Sequence, residues 1–296
     1  MSNRPRTTAV SVLLGMTAMF LAGTPSIAAA SEQDPEAADS PLVVAHRGAS
    51  GYAPENTLAA VDKAAELGIE WVENDVQRTR DGELVVMHDT TLDRTTDVER
   101  VYPDRAPWRV SDFTAEEIAR LDAGSWFDEE FAGARVPTLE KYLDRVGAHD
   151  QNLLLELKSP QDYPGIEGET LKELSNEGWL DREHLRDRLV VQSFEADSVR
   201  TVHDLEPAVR TGFLGTPGTD ELASYAEFAD QINPRHTDVT KDYVDAVQAV
   251  PGPHGEPLEV HTWTVDDATE ARRVAEAGVN GIISNVPDVV RDATGG

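Results

Sequence analysis

The sequence contains no cysteine. That excludes a disulfide framework, a thiolate metal site, a lipidated cysteine and a cysteine nucleophile. It is also short of positive charge: 26 lysines and arginines stand against 55 aspartates and glutamates, a net charge of −29. Nucleic-acid binding depends on clustered cations that neutralise phosphates, so this balance excludes that class of function. An anionic small molecule would need a local group of cations to be held here. A surface this acidic suits a high-salt environment, where the repulsion is screened. Long apolar runs are scarce too. The most extended, residues 9–23, is fifteen residues, short of the roughly 20 a spanning helix needs.

That run has the grammar of a secretory signal. Arg4 and Arg6 precede it, Pro25 breaks the segment beyond it, and Ala28-Ala29-Ala30 supplies a small-residue cleavage site. Residues 1–30 are expected to be a signal peptide and the mature protein to be secreted. Losing the two arginines takes the net charge from −29 to −31. Residues 31–41, acidic, small and without periodicity, read as a disordered leader. No later stretch is long and apolar enough to span a bilayer, so no stable membrane insertion is expected after cleavage.

With 40% hydrophobic residues in 296, the chain can bury one large core, and a barrel of about 250 residues commonly forms a single domain. From residue 42 short apolar runs alternate with helical patterns. KAAELG before IEWVEND, and RVAEAG before VNGIISN, repeat one helix–glycine–strand grammar near the two ends. Candidate strands fall at 42–46, 70–76, 152–158, 189–193, 210–214, 229–232, 258–263 and 280–284, with a hairpin return at 83–88. Such alternation predicts an α/β fold, a (β/α)8 TIM barrel over residues 42–292. Residues 89–137 interrupt it with turn formers, a capping box of Thr114 and Glu117, and an aromatic cluster of Trp108, Phe113, Trp126, Phe127 and Phe131. They read as a small insertion at the active-site end, either a packed excursion or a wall of the substrate pocket.

The chemistry concentrates between residues 43 and 88. A short strand ends in His46-Arg47-Gly48, and a helix over 57–67 stops at Gly68, which suits the left-handed helix-ending position. The next strand carries Glu73 and Asp75 two residues apart, so both carboxylates leave one face. Asp81-Gly82 favours a two-residue hairpin loop. In that register Asp75 faces His88, with Cβ atoms about 5 Å apart. His46 joins them if the first two strands are parallel neighbours.

Glu156 and Lys158 lie in NLLLELK, the pattern of a strand buried on both faces. A charge there costs several kcal/mol unless it is paired or bound to metal. Carboxylates without thiolates suit a hard divalent cation on Glu73, Asp75 and Glu156; for an exported protein calcium is favoured over magnesium. Histidine takes or gives a proton near neutral pH, which makes His46 and His88 a candidate acid–base pair. Arg47 and Lys158 are the local cations for a phosphoryl group. Glu55 is a candidate support for His46 or the metal shell, and Asn56 a helix N-cap. Trp263, at a strand end, either lines a pocket or fills the core. His149, His184, His203, His236, His254 and His261 lack such a context and read as structural or exposed.

HRGxxxxxPENT, the ExD strand, the DG turn and VVxHD together resemble the glycerophosphodiester phosphodiesterase family, in its secreted bacterial form. The match continues through LDRTT, LDAGSWF, PTLE, LELK, QSF, WTV and GIISNVPD in order, over about residues 42–290. The resemblance implies hydrolysis of a small-molecule glycerophosphodiester to sn-glycerol 3-phosphate and an alcohol, with a glycerol pocket near Trp263. Two departures stand out: Asp266 where the pattern usually reads WTVN, and Asn74 where leucine commonly separates the two acids. One alternative is a phospholipase D or lysophospholipase D acting on lipids; the insertion at 89–137 favours the glycerol-specific reading. Another is a non-catalytic cell-envelope binding module, whose signature would be a lost histidine or metal carboxylate, and none is missing.

Overall fold

The computed structural model describes residues 40–295, so the expected signal peptide and nearly all of the expected leader lie outside the described residues. The strands are β1 (Leu42–Ala45), β2 (Trp71–Arg78), β4 (Asn152–Leu157), β5 (Leu189–Ser193), β6 (Arg210–Leu214), β7 (Gln231–Asn233), β8 (Glu259–Thr262) and β9 (Gly281–Ser284), with β3 (Leu84–Val86) beside β2. Apart from β3 all pair in parallel, and β1 pairs with both β2 and β9, which closes a barrel of eight strands. Helices between the strands cover its outside, making the (β/α)8 barrel that the alternation predicts. No helix among the described residues is long and apolar enough to cross a membrane.

β1, β4, β5 and β9 read as near-continuous apolar runs because both faces are buried. Outward, Val72, Val76, Leu153, Leu155 and Val191 meet Val61, Tyr142, Leu143 and Leu174 of the surrounding helices. Inward, Val44, Trp71, Leu154, Val190 and Ile283 plug the bore. Side chains alternate along a strand. Glu73, Asp75 and Gln77 therefore share the face of Trp71, and Glu156 that of Leu154, so the acids point into the bore above the plug, toward the carboxyl ends of the strands.

The hairpin departs from its expected register. Val76 pairs with Val86 and Gln77 with Val85, and Met87 N–H donates to the Asp75 carbonyl at 2.9 Å. Asp75 thus faces Met87, not His88, and the loop has three residues, Arg80, Asp81 and Gly82. Gly82 N–H donates to the Thr79 carbonyl (3.1 Å), and Gly82 takes φ of 94°, a turn closed by one left-handed residue. Thr79 Oγ1 holds it by donating to Asp81 Oδ1 (2.7 Å) and accepting from Glu83 N–H (3.0 Å). A slip of one residue reverses every side chain, so His88 arrives from beyond the ladder instead of across it. β3 is no stave of the barrel: it occupies the edge of β2 left free where β1 ends.

The insertion buries its own cluster, including Leu92, Val98, Val110, Phe113, Ile118 and Leu121, against Val85 and Met87. The Thr114–Glu117 capping box forms as expected. The expected aromatic cluster does not: Phe113 packs on Tyr102, while Trp126, Phe127 and Phe131 stack edge to face elsewhere.

Candidate active site

Beyond β1 the chain turns sharply. Arg47 and Gly48 both take left-handed φ, 56° and 76°, and a Cβ on Gly48 would lie 2.6 Å from the Ala60 carbonyl carbon, so only glycine fits. The turn lays the Arg47 backbone N–H on Glu73 Oε2 at 2.8 Å. The guanidinium reaches Glu55 (2.8 Å) and Asp75 (3.4 Å). Glu55 also accepts from both Nη atoms of Arg94. It therefore clamps two arginines and makes no hydrogen bond to His46, contrary to one of its expected roles. Asn56 is not the helix cap; Thr57 is, its Oγ1 accepting from Ala60 N–H. With φ of 58°, Asn56 instead turns inward and donates Nδ2–H to Asp75 Oδ2 at 2.8 Å.

Glu73, Asp75 and Glu156 are all buried, with carboxylate oxygens within 4.8 Å of one another. Burial and the negative neighbours hold the Glu73 carboxyl well above the usual range and push Glu156 up to about 8. Asp75 is buried too, yet the positive charges of Lys158 and Arg47 bring it down to about 2. Lys158 Nζ lies 2.7 Å from Glu156 Oε1 and 3.5 Å from Asp75 Oδ1, and that Asp75 oxygen, fully buried, makes no hydrogen bond. An acceptor without a donor among crowded acids is the environment a divalent cation relieves, so the triad could bind one.

The two histidines meet different partners. His46 Nδ1 lies 2.7 Å from the amide oxygen of Asn285, and burial with the nearby Arg47 charge lowers the ring to about 4. His88 Nδ1 lies 2.6 Å from Asp89 Oδ1. Asp89 in turn accepts from Arg94 Nε at 2.5 Å, and its hydrogen bond to His88 holds its carboxyl below the usual range. Gln77 fixes this loop: its Nε2 donates to the carbonyls of Met87 (2.7 Å), His88 (3.2 Å) and Asp89 (2.7 Å), while Oε1 accepts from Tyr163 (2.9 Å).

One cavity of about 80 Å³ gathers both histidines, Arg47, Glu73, Glu156 and Lys158 on a polar side, with Phe194, Leu214 and Trp263 on an apolar one. Trp263 stands edge-on to Phe194 (5.4 Å between ring centroids) and donates Nε1–H to the Asn233 carbonyl at 2.8 Å. No residue of 89–137 lines this cavity, so there the insertion is a packed excursion that supports His88 from behind. The six other histidines do not line it either. A larger recess of about 640 Å³ lies at the opposite end of the barrel, around Arg210, Leu258 and Glu259, and holds none of these groups. Sequence reasoning missed Gln77, Asp89, Arg94 and Asn285. Gln77 had a signal, since it continues the two-residue spacing of Glu73 and Asp75.

A barrel with acids, cations and imidazoles gathered at the carboxyl ends of its strands is an enzyme of the (β/α)8 class, its site where that class keeps it. The chain belongs to the glycerophosphoryl diester phosphodiesterase family, whose model matches residues 46–289. It is accordingly a phosphoric diester hydrolase of the glycerophosphodiester type. It is 35% identical over 280 residues to a glycerophosphodiester phosphodiesterase of Bacillus subtilis, covering 89% of each chain. To one from Caldanaerobacter subterraneus it is 38% identical over 253 residues, covering 84% of this chain and 96% of the relative. Among solved structures it is similar to an Oleispira antarctica phosphodiesterase in complex with the product sn-glycerol-3-phosphate, at TM-score 0.72 and 28% identity, covering 87% of this chain and 98% of that one.

Proposed function

We propose that this protein is exported and hydrolyses glycerophosphodiesters to sn-glycerol 3-phosphate and an alcohol, with His46 as base, His88 as acid and a divalent cation held by Glu73, Asp75 and Glu156. The observation that carries the assignment is the contrast between the two Nδ1 partners, an amide oxygen at His46 and a carboxylate at His88. Each acceptor keeps a proton on Nδ1 and leaves Nε2 for the substrate. His46, lowered to about 4, is unprotonated at neutral pH and free to accept. His88, whose ring is held by a carboxylate that Arg94 anchors, takes the part of the acid.

Arg47 and Lys158 then hold the phosphate, and the glycerol carbons lie against Trp263 and Phe194. A proton passes from the attacking hydroxyl to His46 as the new P–O bond forms. The bond to the alcohol breaks, and His88 protonates the departing oxygen. The attacker is water or the adjacent glycerol hydroxyl; the latter gives a cyclic phosphate that water then opens. The bound cation would stabilise negative charge on the phosphoryl oxygens. All-oxygen ligands suit calcium and magnesium alike, and calcium is favoured because the protein is taken to act outside the cell.

Each proton transfer is typically worth 10²–10⁴-fold. Release of sn-glycerol 3-phosphate from glycerophosphocholine and glycerophosphoethanolamine should therefore collapse in both His46→Ala and His88→Ala, and in the parent under chelation. Calcium should restore the chelated parent better than magnesium. Near-normal turnover in both variants would refute the acid–base pair, and full activity under chelation would remove the cation. Products from lysophospholipids alone would transfer the activity to lipid substrates.

A further inference from the structure

We infer that Asp266 and Asn285 are positioning residues that fix the proton of His46 on Nδ1 and so present the Nε2 lone pair to the cavity. The inference rests on the reading of His46 as base. Asn285 Oδ1 meets His46 Nδ1 at 2.7 Å and accepts from Ser50 Oγ at 2.8 Å. A primary amide can face an imidazole with either end. Its oxygen selects the Nδ1–H tautomer and its amine selects the opposite one.

Asp266 removes that choice. A carboxylate only accepts, and Asp266 Oδ2 takes the Asn285 Nδ2–H at 2.7 Å, while Oδ1 takes the Asn285 backbone N–H at 2.8 Å and the Ser284 hydroxyl at 3.2 Å. With its amine claimed, Asn285 can offer His46 only oxygen. The backbone holds the same geometry. His46 N–H donates to the Ser284 carbonyl (2.9 Å) and Gly51 N–H to the Asn285 carbonyl (2.8 Å), and a Cβ on Gly51 would lie 2.8 Å from that oxygen. Position 266 is where the WTVN pattern carries asparagine. An asparagine could turn its own amine toward Asn285; this aspartate cannot. The lock thus runs from the loop after β8, through the loop after β9, to the imidazole after β1.

The charged groups nearest the ring are Arg47, Asp75 and His88, none of which bonds Nδ1. The tautomer is therefore set by Asn285, and two readouts test it on the cation-loaded protein. In ¹⁵N-resolved histidine spectra, the neutral His46 ring should carry its proton on Nδ1 in the parent and become a mixture of tautomers in Asp266→Asn. In kinetics, Asn285→Ala should lower kcat by roughly 10²-fold with little change in KM. Asn285→Asp combined with Asp266→Asn, which puts the carboxylate on Nδ1 with an amide behind it, should recover much of that kcat and move the acid limb of the pH profile to higher pH. A parent ring protonated on Nε2, or an Asn285→Ala variant with the parent's kcat and acid limb, would overturn the inference. An active His46→Ala variant would instead defeat the assignment of the base, whatever the spectra show.

Discussion

Replacing Glu156 with glutamine isolates the cost of holding three acids in one place. Burial and the Asp75 charge carry the Glu156 carboxyl from its ordinary 4.5 up to about 8, against the pull of Lys158. In the folded, cation-free protein it keeps a proton that the unfolded chain releases near 4.5. Its contribution to stability is therefore complete below that value, declines as pH rises, and is lost once pH passes about 8. At about 1.4 kcal/mol per pKa unit the ceiling is about 5 kcal/mol. Because neighbouring acids share the titration, a net effect of ~1–3 kcal/mol is expected. Glutamine keeps the shape and an acceptor for Lys158 Nζ, which stands at 2.7 Å, but it never charges. In urea unfolding with chelator present, Glu156→Gln should nearly match the parent at about pH 4.5 and exceed it by ~1–3 kcal/mol at about pH 9. A divalent cation at a hundred times its Kd should then stabilise the parent by about 2.7 kcal/mol and the variant far less. A variant weaker than the parent at every pH, or one that gains as much from the cation, would refute the picture of a buried, mutually repelling triad.

Asn74 is buried on the outer face of β2, and neither polar atom of its side chain has a partner. Asn74→Leu should raise stability by ~1–3 kcal/mol, read as a higher melting temperature; an unchanged or lower one would mean the amide is satisfied. Gln77→Ala frees the three carbonyls that hold the His88 loop. It should cost ~1–3 kcal/mol and lower kcat more than it raises KM; parent-like kcat would show that the loop holds itself. Gly48→Ala forces a side chain into the Ala60 backbone at left-handed φ and should destabilise the fold by more than ~3 kcal/mol. A folded, fully active Gly48→Ala protein would contradict the tight turn.

Strand positions were legible because burial on both faces forces apolar composition, and helix–glycine punctuation marks where each strand begins. The acid at 156 stood out for the same reason, since charge inside an apolar strand needs a partner; those at 73 and 75 stood out by the two-residue spacing that puts both on one face. Hairpin register was not legible. Asp81-Gly82 fits a two-residue loop and a three-residue one, and the choice turned on the Thr79 side chain bonding to both Asp81 and Glu83. The supports of the histidines were also hidden. Asn285 is 239 residues from His46, and no local spacing announces such a contact before the barrel closes β1 against β9. Asn56 read as a cap because caps are the common use of asparagine before a helix; its left-handed backbone, which turns it toward Asp75, has no local signature. Asp266 was visible as a departure from the family pattern, though its hold on Asn285 was not.

Crystals soaked with manganese and sn-glycerol 3-phosphate, with the metal located by its anomalous signal, test the convergence of the site most directly. The expected result is one ion bonded to oxygens of Glu73, Asp75 and Glu156, the phosphate within reach of Arg47 and Lys158, and Nε2 of His46 and of His88 facing that phosphate. An ion bound elsewhere, or a phosphate that only one of the two rings can reach, would contradict the reaction proposed for this chain.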